Sequence, residues 1–88
     1  MEIDGRVTGK TGLIGIVGNP LEHSISPQLH NTISGLLGID MVYVPFLVNR
    51  GELEHAVYGL KSMNVRGFNV TIPYKQEIMK YLDEITPE

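Results

Sequence analysis

Short runs of β-branched and aliphatic residues alternate along this chain with stretches in which apolar positions recur at helical spacing. Leu13-Ile14-Gly15-Ile16-Val17-Gly18 is apolar on both alternating faces, the pattern of a strand buried on two sides. Asn19-Pro20 breaks it, and a polar loop runs to Ser26. Ser26-Pro27 opens a helix, because serine is a favoured N-cap and proline at the first helical position forfeits no hydrogen bond. Leu29, Ile33, Leu36 and Leu37 share a face of that helix, and Gly38 is its C-terminal stop. Met41 to Val48 is a second strand, in which Pro45 removes a ladder donor and so marks an edge. Asn49-Arg50-Gly51-Glu52 has the spacing of a capping box. Leu53, Ala56, Val57, Leu60 and Met63 line the next helix, which Asn64 ends in the left-handed region. Val65 to Ile72 is a third strand, and a third helix runs from about Tyr74 with Tyr74, Ile78, Tyr81 and Leu82 on one side. Residues Met1 to Thr11 are polar and glycine-punctuated and read as an edge strand or an ordered arm.

Strand followed by helix, three times over with connections of crossover length, predicts an α/β fold. The expected architecture has three layers: an open, mainly parallel sheet with helices on both faces and strand order 2-1-3. Three strands make only half of an ordinary α/β sheet. Residues 1–88 are therefore expected to be an incomplete domain, with an open sheet edge and uncovered apolar surface that favour self-association.

Composition narrows the function. The chain has 88 residues, 42% hydrophobic and 19% charged, which is too apolar for disorder. Seven basic residues against ten acidic leave a net charge of −3, a poor match to nucleic acid. There is no cysteine, so disulfides and thiolate metal sites are excluded. His23, His30 and His55 lie on a loop and two different helices, so no metal is expected. The apolar runs fall far short of the roughly 20 residues that span a bilayer, and Met1-Glu2-Ile3-Asp4 does not resemble a signal peptide. The expectation is a soluble cytoplasmic protein.

In open α/β sheets ligands bind at the carboxyl ends of the strands, where chain order reverses. Here that point falls between the first and third strands. The loop after the first strand carries Ser24 and Ser26 at the mouth of a helix, with hydroxyls suited to a carboxylated or polyhydroxylated ligand. Ser26 either caps the helix alone or caps it and touches the ligand; Ser24 has no such capping duty. Asn69 and Thr71 alternate with Phe68, Val70 and Ile72, so their side chains share a face at the end of the third strand. Lys75 follows in the first turn of the third helix. A cation there opposes the macrodipole by about 0.3–1 kcal/mol. Such a field would suit a proton donor; the other reading is a solvated surface lysine. Gly12, Gly15 and Gly18 do not match a dinucleotide fingerprint.

Two stretches, Gly18-Asn19-Pro20-x-x-His23-Ser24-x-Ser26-Pro27-x-x-His30-Asn31 and Gly67-Phe68-Asn69-Val70-Thr71-Ile72-Pro73-Tyr74-Lys75, resemble shikimate dehydrogenases. The resemblance covers nearly the whole chain. It implies the substrate-binding portion of an enzyme that reduces 3-dehydroshikimate to shikimate with NADPH, in aromatic amino-acid biosynthesis. By that resemblance Ser24 and Ser26 hold the substrate carboxylate, Asn69 and Thr71 contact ring substituents, and Lys75 binds a ring hydroxyl and serves in proton transfer. The NADP-binding Rossmann domain and the aspartate that partners the lysine are not in this chain, so the 88 residues alone are expected to be inactive. Two other readings are a quinate/shikimate dehydrogenase and a stand-alone, non-catalytic module that binds a small carboxylate.

Overall fold

The computed structural model describes residues 6–81. Its elements are β1 (Gly12–Gly18), α1 (Ser26–Leu37), β2 (Met41–Leu47), α2 (Leu53–Ser62), β3 (Gly67–Val70) and a short 3-10 helix (Glu77–Tyr81). The sheet is parallel, in the order β2-β1-β3. Its register places Ile14 beside Tyr43 and Gly67, and Ile16 beside Pro45 and Asn69. Both the strand order and the edge position of Pro45 agree with the sequence pattern.

β1 is central, and both of its faces are buried: Ile16 is 8% exposed and Val17 1%. The face carrying Val17 meets α2 and the 3-10 helix through Leu53, Val57, Leu60, Tyr74 and Ile78. The opposite face holds a smaller cluster of Ile16, Leu21 and Tyr43, with Ile14 packed against it. α1 lies on this second side, against β2. The helices therefore flank the sheet in three layers.

Several local expectations are corrected. α1 has no buried residue; Leu29, Ile33, Leu36 and Leu37 are all exposed. Its hold on the sheet is polar and aromatic instead. The Asn31 side chain donates from Nδ2 to the Tyr43 carbonyl and accepts the Tyr43 N–H at Oδ1, both at 2.8 Å. The His30 ring stacks on the Tyr43 ring, with centroids 4.2 Å apart and planes inclined by 7°. Gly38 ends the helix at φ 69°, as its placement requires.

The capping box does not form. Glu52 is itself the N-cap of α2, and its carboxylate reaches forward to His55 Nδ1 at 2.7 Å. Asn49 instead closes a turn, accepting the Glu52 N–H at its carbonyl, with Gly51 at φ 84°. Asn64 does adopt the left-handed region, at φ 57°. β3 is shorter than the eight residues from Val65 to Ile72, because pairing with β1 runs only from Gly67 to Val70. The third helix is also shorter than expected. Residues 6–10 are turns and irregular backbone rather than a strand, while Met1 to Gly5 and Leu82 to Glu88 lie outside the described residues.

Candidate functional site

The carboxyl ends of the three strands are tied to one another by their loops. The Asn19 N–H donates to the Ile72 carbonyl at 3.1 Å, joining the loop after β1 to the loop after β3. The Val48 N–H donates to the Gly18 carbonyl at 3.2 Å. The Val48 carbonyl in turn accepts the Tyr74 hydroxyl at 2.7 Å and Asn19 Nδ2 at 3.3 Å. The two sequence stretches singled out for chemistry are thus neighbours, held by a node at Val48, just past the end of β2. Asn19 and Tyr74, which carried no weight in the sequence, are what hold them. The sequence pattern did place Tyr74 on one side with Ile78, and both are buried, at 2% and 6% exposure; what it did not show is the bond of the Tyr74 hydroxyl to Val48.

Each candidate residue has a defined setting. Ser26 is the first residue of α1, not its cap; Ile25 is the cap, and no side chain caps the helix. Ser24 supplies part of that function instead, since its Oγ accepts the Ser26 N–H at 3.3 Å. Ser24 therefore does have a structural duty, against expectation. This leaves its hydroxyl proton available, and the Ser26 hydroxyl is not spent on capping. α1 has no acidic residue in its first turn, so the positive end of the helix is not neutralised by its own sequence.

Asn69 projects to the α1 side of the sheet, where its Nδ2 donates to the Tyr43 hydroxyl at 3.1 Å. Thr71 continues that face by alternation. Its N–H donates to the Val17 carbonyl at 2.9 Å, and its methyl lies against Gly18, where an added Cβ would run into it. Lys75 is exposed on the turn that follows the buried Tyr74. The helix expected beneath it is a five-residue 3-10 helix beginning only at Glu77. Among the described residues there is therefore no long array of aligned peptides beneath the lysine to oppose its charge.

Ser24, Ser26 and Thr71 are half-buried, and Asn69 and Lys75 are exposed. Three cavities of about 450, 360 and 430 Å³ are lined by other residues; the last, along Asn19, Pro20, Leu21 and Glu22, adjoins the loop after β1. None of the five candidates lines these three cavities. The three histidines stay apart: His23 lies near Glu22, His55 near Glu52 and His30 on Tyr43. No helix among the described residues is long and apolar enough to cross a membrane.

Comparison with known proteins identifies the family. A family described as the shikimate dehydrogenase substrate binding domain matches residues 16–88. A shikimate dehydrogenase (NADP(+)) of Methanobrevibacter smithii is 49% identical over 92% of this chain and 29% of its own length. The crystal structure of shikimate 5-dehydrogenase from Listeria monocytogenes in complex with shikimate and NAD superposes with a TM-score of 0.88 at 47% identity, over 97% of this chain and 29% of that one. A shikimate dehydrogenase crystallised with NADP+ gives a TM-score of 0.87 at 48% identity, over 92% of this chain and 28% of that one. This chain therefore spans somewhat under a third of the length of the proteins it matches, and it belongs to the shikimate dehydrogenase substrate-binding domain family.

Proposed function

We propose that this chain is the substrate-binding portion of an NADP-dependent shikimate dehydrogenase, and that its carboxyl-end loops hold shikimate and 3-dehydroshikimate. The supporting observation is the direct bond from the Asn19 N–H to the Ile72 carbonyl at 3.1 Å, which joins the loop that carries the two serines to the segment that carries Thr71 and Lys75.

The substrate is a cyclic acid with ring hydroxyls. A carboxylate only accepts hydrogen bonds, and the free hydroxyl protons of Ser24 and Ser26 stand at the unneutralised N-terminus of α1, where negative charge is favoured. Asn69 and Thr71 offer an amide and a hydroxyl to the ring substituents. Lys75 reaches the ring from an exposed turn fixed on both sides of Tyr74. In this reading its ammonium gives a proton to the C3 oxygen as the carbonyl is reduced, and takes it back in the reverse direction.

The cofactor does not fit the residues present. The glycines of β1 are filled by packing rather than open to a phosphate: a Cβ on Gly15 would run into the Phe46 ring and the Val44 carbonyl. In this proposal NADP belongs to a further domain outside residues 1–88, and the residues here account for binding and for the proton. The complete protein would be a cytoplasmic enzyme of the route to the aromatic amino acids.

The test is Lys75→Ala in the complete enzyme. Loss of a transition-state contact should lower kcat much more than it raises KM. A change confined to KM would reduce Lys75 to a binding residue. The 88-residue chain alone should not oxidise shikimate with NADP; measurable turnover would contradict the assignment of the hydride donor to another domain.

A further inference from the structure

We propose that Tyr43 is a positioning residue: it sets the amide of Asn69 so that this side chain presents its carbonyl oxygen to a ring hydroxyl of the substrate. The inference rests on the reading of Asn69 as a substrate contact and adds what holds it in place.

Tyr43 lies on β2 and Asn69 on β3, with β1 between them. Adjacent strands are about 4.8 Å apart, so the two backbones are separated by about two such spacings. The side chain on β2 must therefore be long, and must end in a polar atom, to meet an asparagine on β3. Tyr43 does both, passing over β1 beside Ile16 to accept Asn69 Nδ2 at 3.1 Å. Asn69 is exposed, so burial of the amide does not require this bond. Its effect is orientational. With Nδ2 donating to the phenol, Oδ1 is the amide atom left to accept, and a hydroxylated ring supplies the donor.

The phenol is itself immobilised from three directions. Asn31 grips both backbone groups of Tyr43 at 2.8 Å, and His30 stacks on its ring at 4.2 Å. The side chain is 3% exposed. His30 and Asn31 are consecutive on α1, the helix whose N-terminal end carries Ser26, so one helix sets both the carboxylate end and the ring end of the site. A hydrogen-bonding group held this way loses little freedom when the ligand arrives, which is how preorganisation raises affinity.

The experiment compares Tyr43→Phe, Asn69→Ala and the double variant in the complete enzyme. Tyr43→Phe should raise KM for shikimate about three- to tenfold, the range of one neutral hydrogen bond, with kcat little changed. Asn69→Ala should raise KM at least as much, and the double variant should match Asn69→Ala alone, because the phenol then has nothing to orient. A Tyr43 that only supports the fold would lower the melting temperature and the yield of active enzyme and leave KM unmoved. That result, or effects that multiply in the double variant, overturns the proposal. If Asn69→Ala leaves KM unchanged, the reading of Asn69 as a substrate contact is what fails, and the role of Tyr43 falls with it. A measurement on the unaltered enzyme guards against misfolding of the variants. The Nδ2 protons of Asn69 should exchange with solvent more slowly than those of exposed Asn49 and Asn64, and equal rates contradict a fixed amide.

Discussion

Gly15 and Gly18 show how little room the strand ends leave. At Gly15 the place of a side chain is taken by the Phe46 ring and the Val44 carbonyl. Gly15→Ala should therefore force Phe46 out of the α2-side core and destabilise the protein by about 1–3 kcal/mol, the usual range for overpacking. The midpoint of urea unfolding reports it, and an unchanged midpoint would mean that Phe46 can move at no cost. Gly18→Ala runs into Thr71 Cγ2, with Leu21 and the Ile72 carbonyl each at 3.0 Å. Its damage should fall on the site as well as on the fold, raising KM in the complete enzyme because Thr71 is displaced. At the same scale, Tyr74→Phe removes only the bond to the Val48 carbonyl. It should lower stability by about 1 kcal/mol, since Asn19 Nδ2 still donates to that oxygen. Which of the two serines would assist the helix was beyond residue types alone. The answer depends on whether the first helical dihedrals fall at Ser26 or after it, and both serines suit either arrangement.

The elements follow the sequence wherever burial on one face sets them. β1 is apolar on both faces and is central; α2 has its apolar residues at helical spacing and buries Leu53, Val57 and Leu60. The pattern misled where an element's anchor is polar. α1 carries an apolar stripe, yet it is held by the Asn31 clamp on the outer edge of β2. Asn31→Ala should remove both bonds, leave the Tyr43 backbone groups without their partner and cost about 1–3 kcal/mol by chemical denaturation. A neutral effect would show that other contacts alone seat α1. The capping box and the third helix failed for a related reason. Both were read from local spacing, while Gly51 in a left-handed turn and the pull of Tyr74 into the core decide where those segments can begin.

At the scale of the molecule, the two sides of the sheet are unequal. The α2 side has a continuous core, and the α1 side has a small cluster under an exposed helix. Leu29, Ile33 and Leu36 stand on the outer surface of α1, Leu36 being 80% exposed, with Ile25 just ahead of them. β3 presents an edge that pairs with no other strand among the described residues. The isolated chain should therefore self-associate, with an apparent mass that rises with concentration in light scattering. Leu36→Glu should weaken that association. A constant monomer mass for the unaltered chain at high concentration would rule it out.

Residue pattern and motif alone determined the α/β class, the edge position of Pro45 and the segments from which a site could be built. These follow from periodicity, backbone chemistry and residue type, all of which are local properties. The tertiary structure decided which loops touch, that Asn19 and Tyr74 bind them through Val48, and that Tyr43 reaches Asn69 across β1. Those are contacts between residues far apart in the chain. No local rule specifies them, because each depends on where two separately formed elements come to rest against the same sheet.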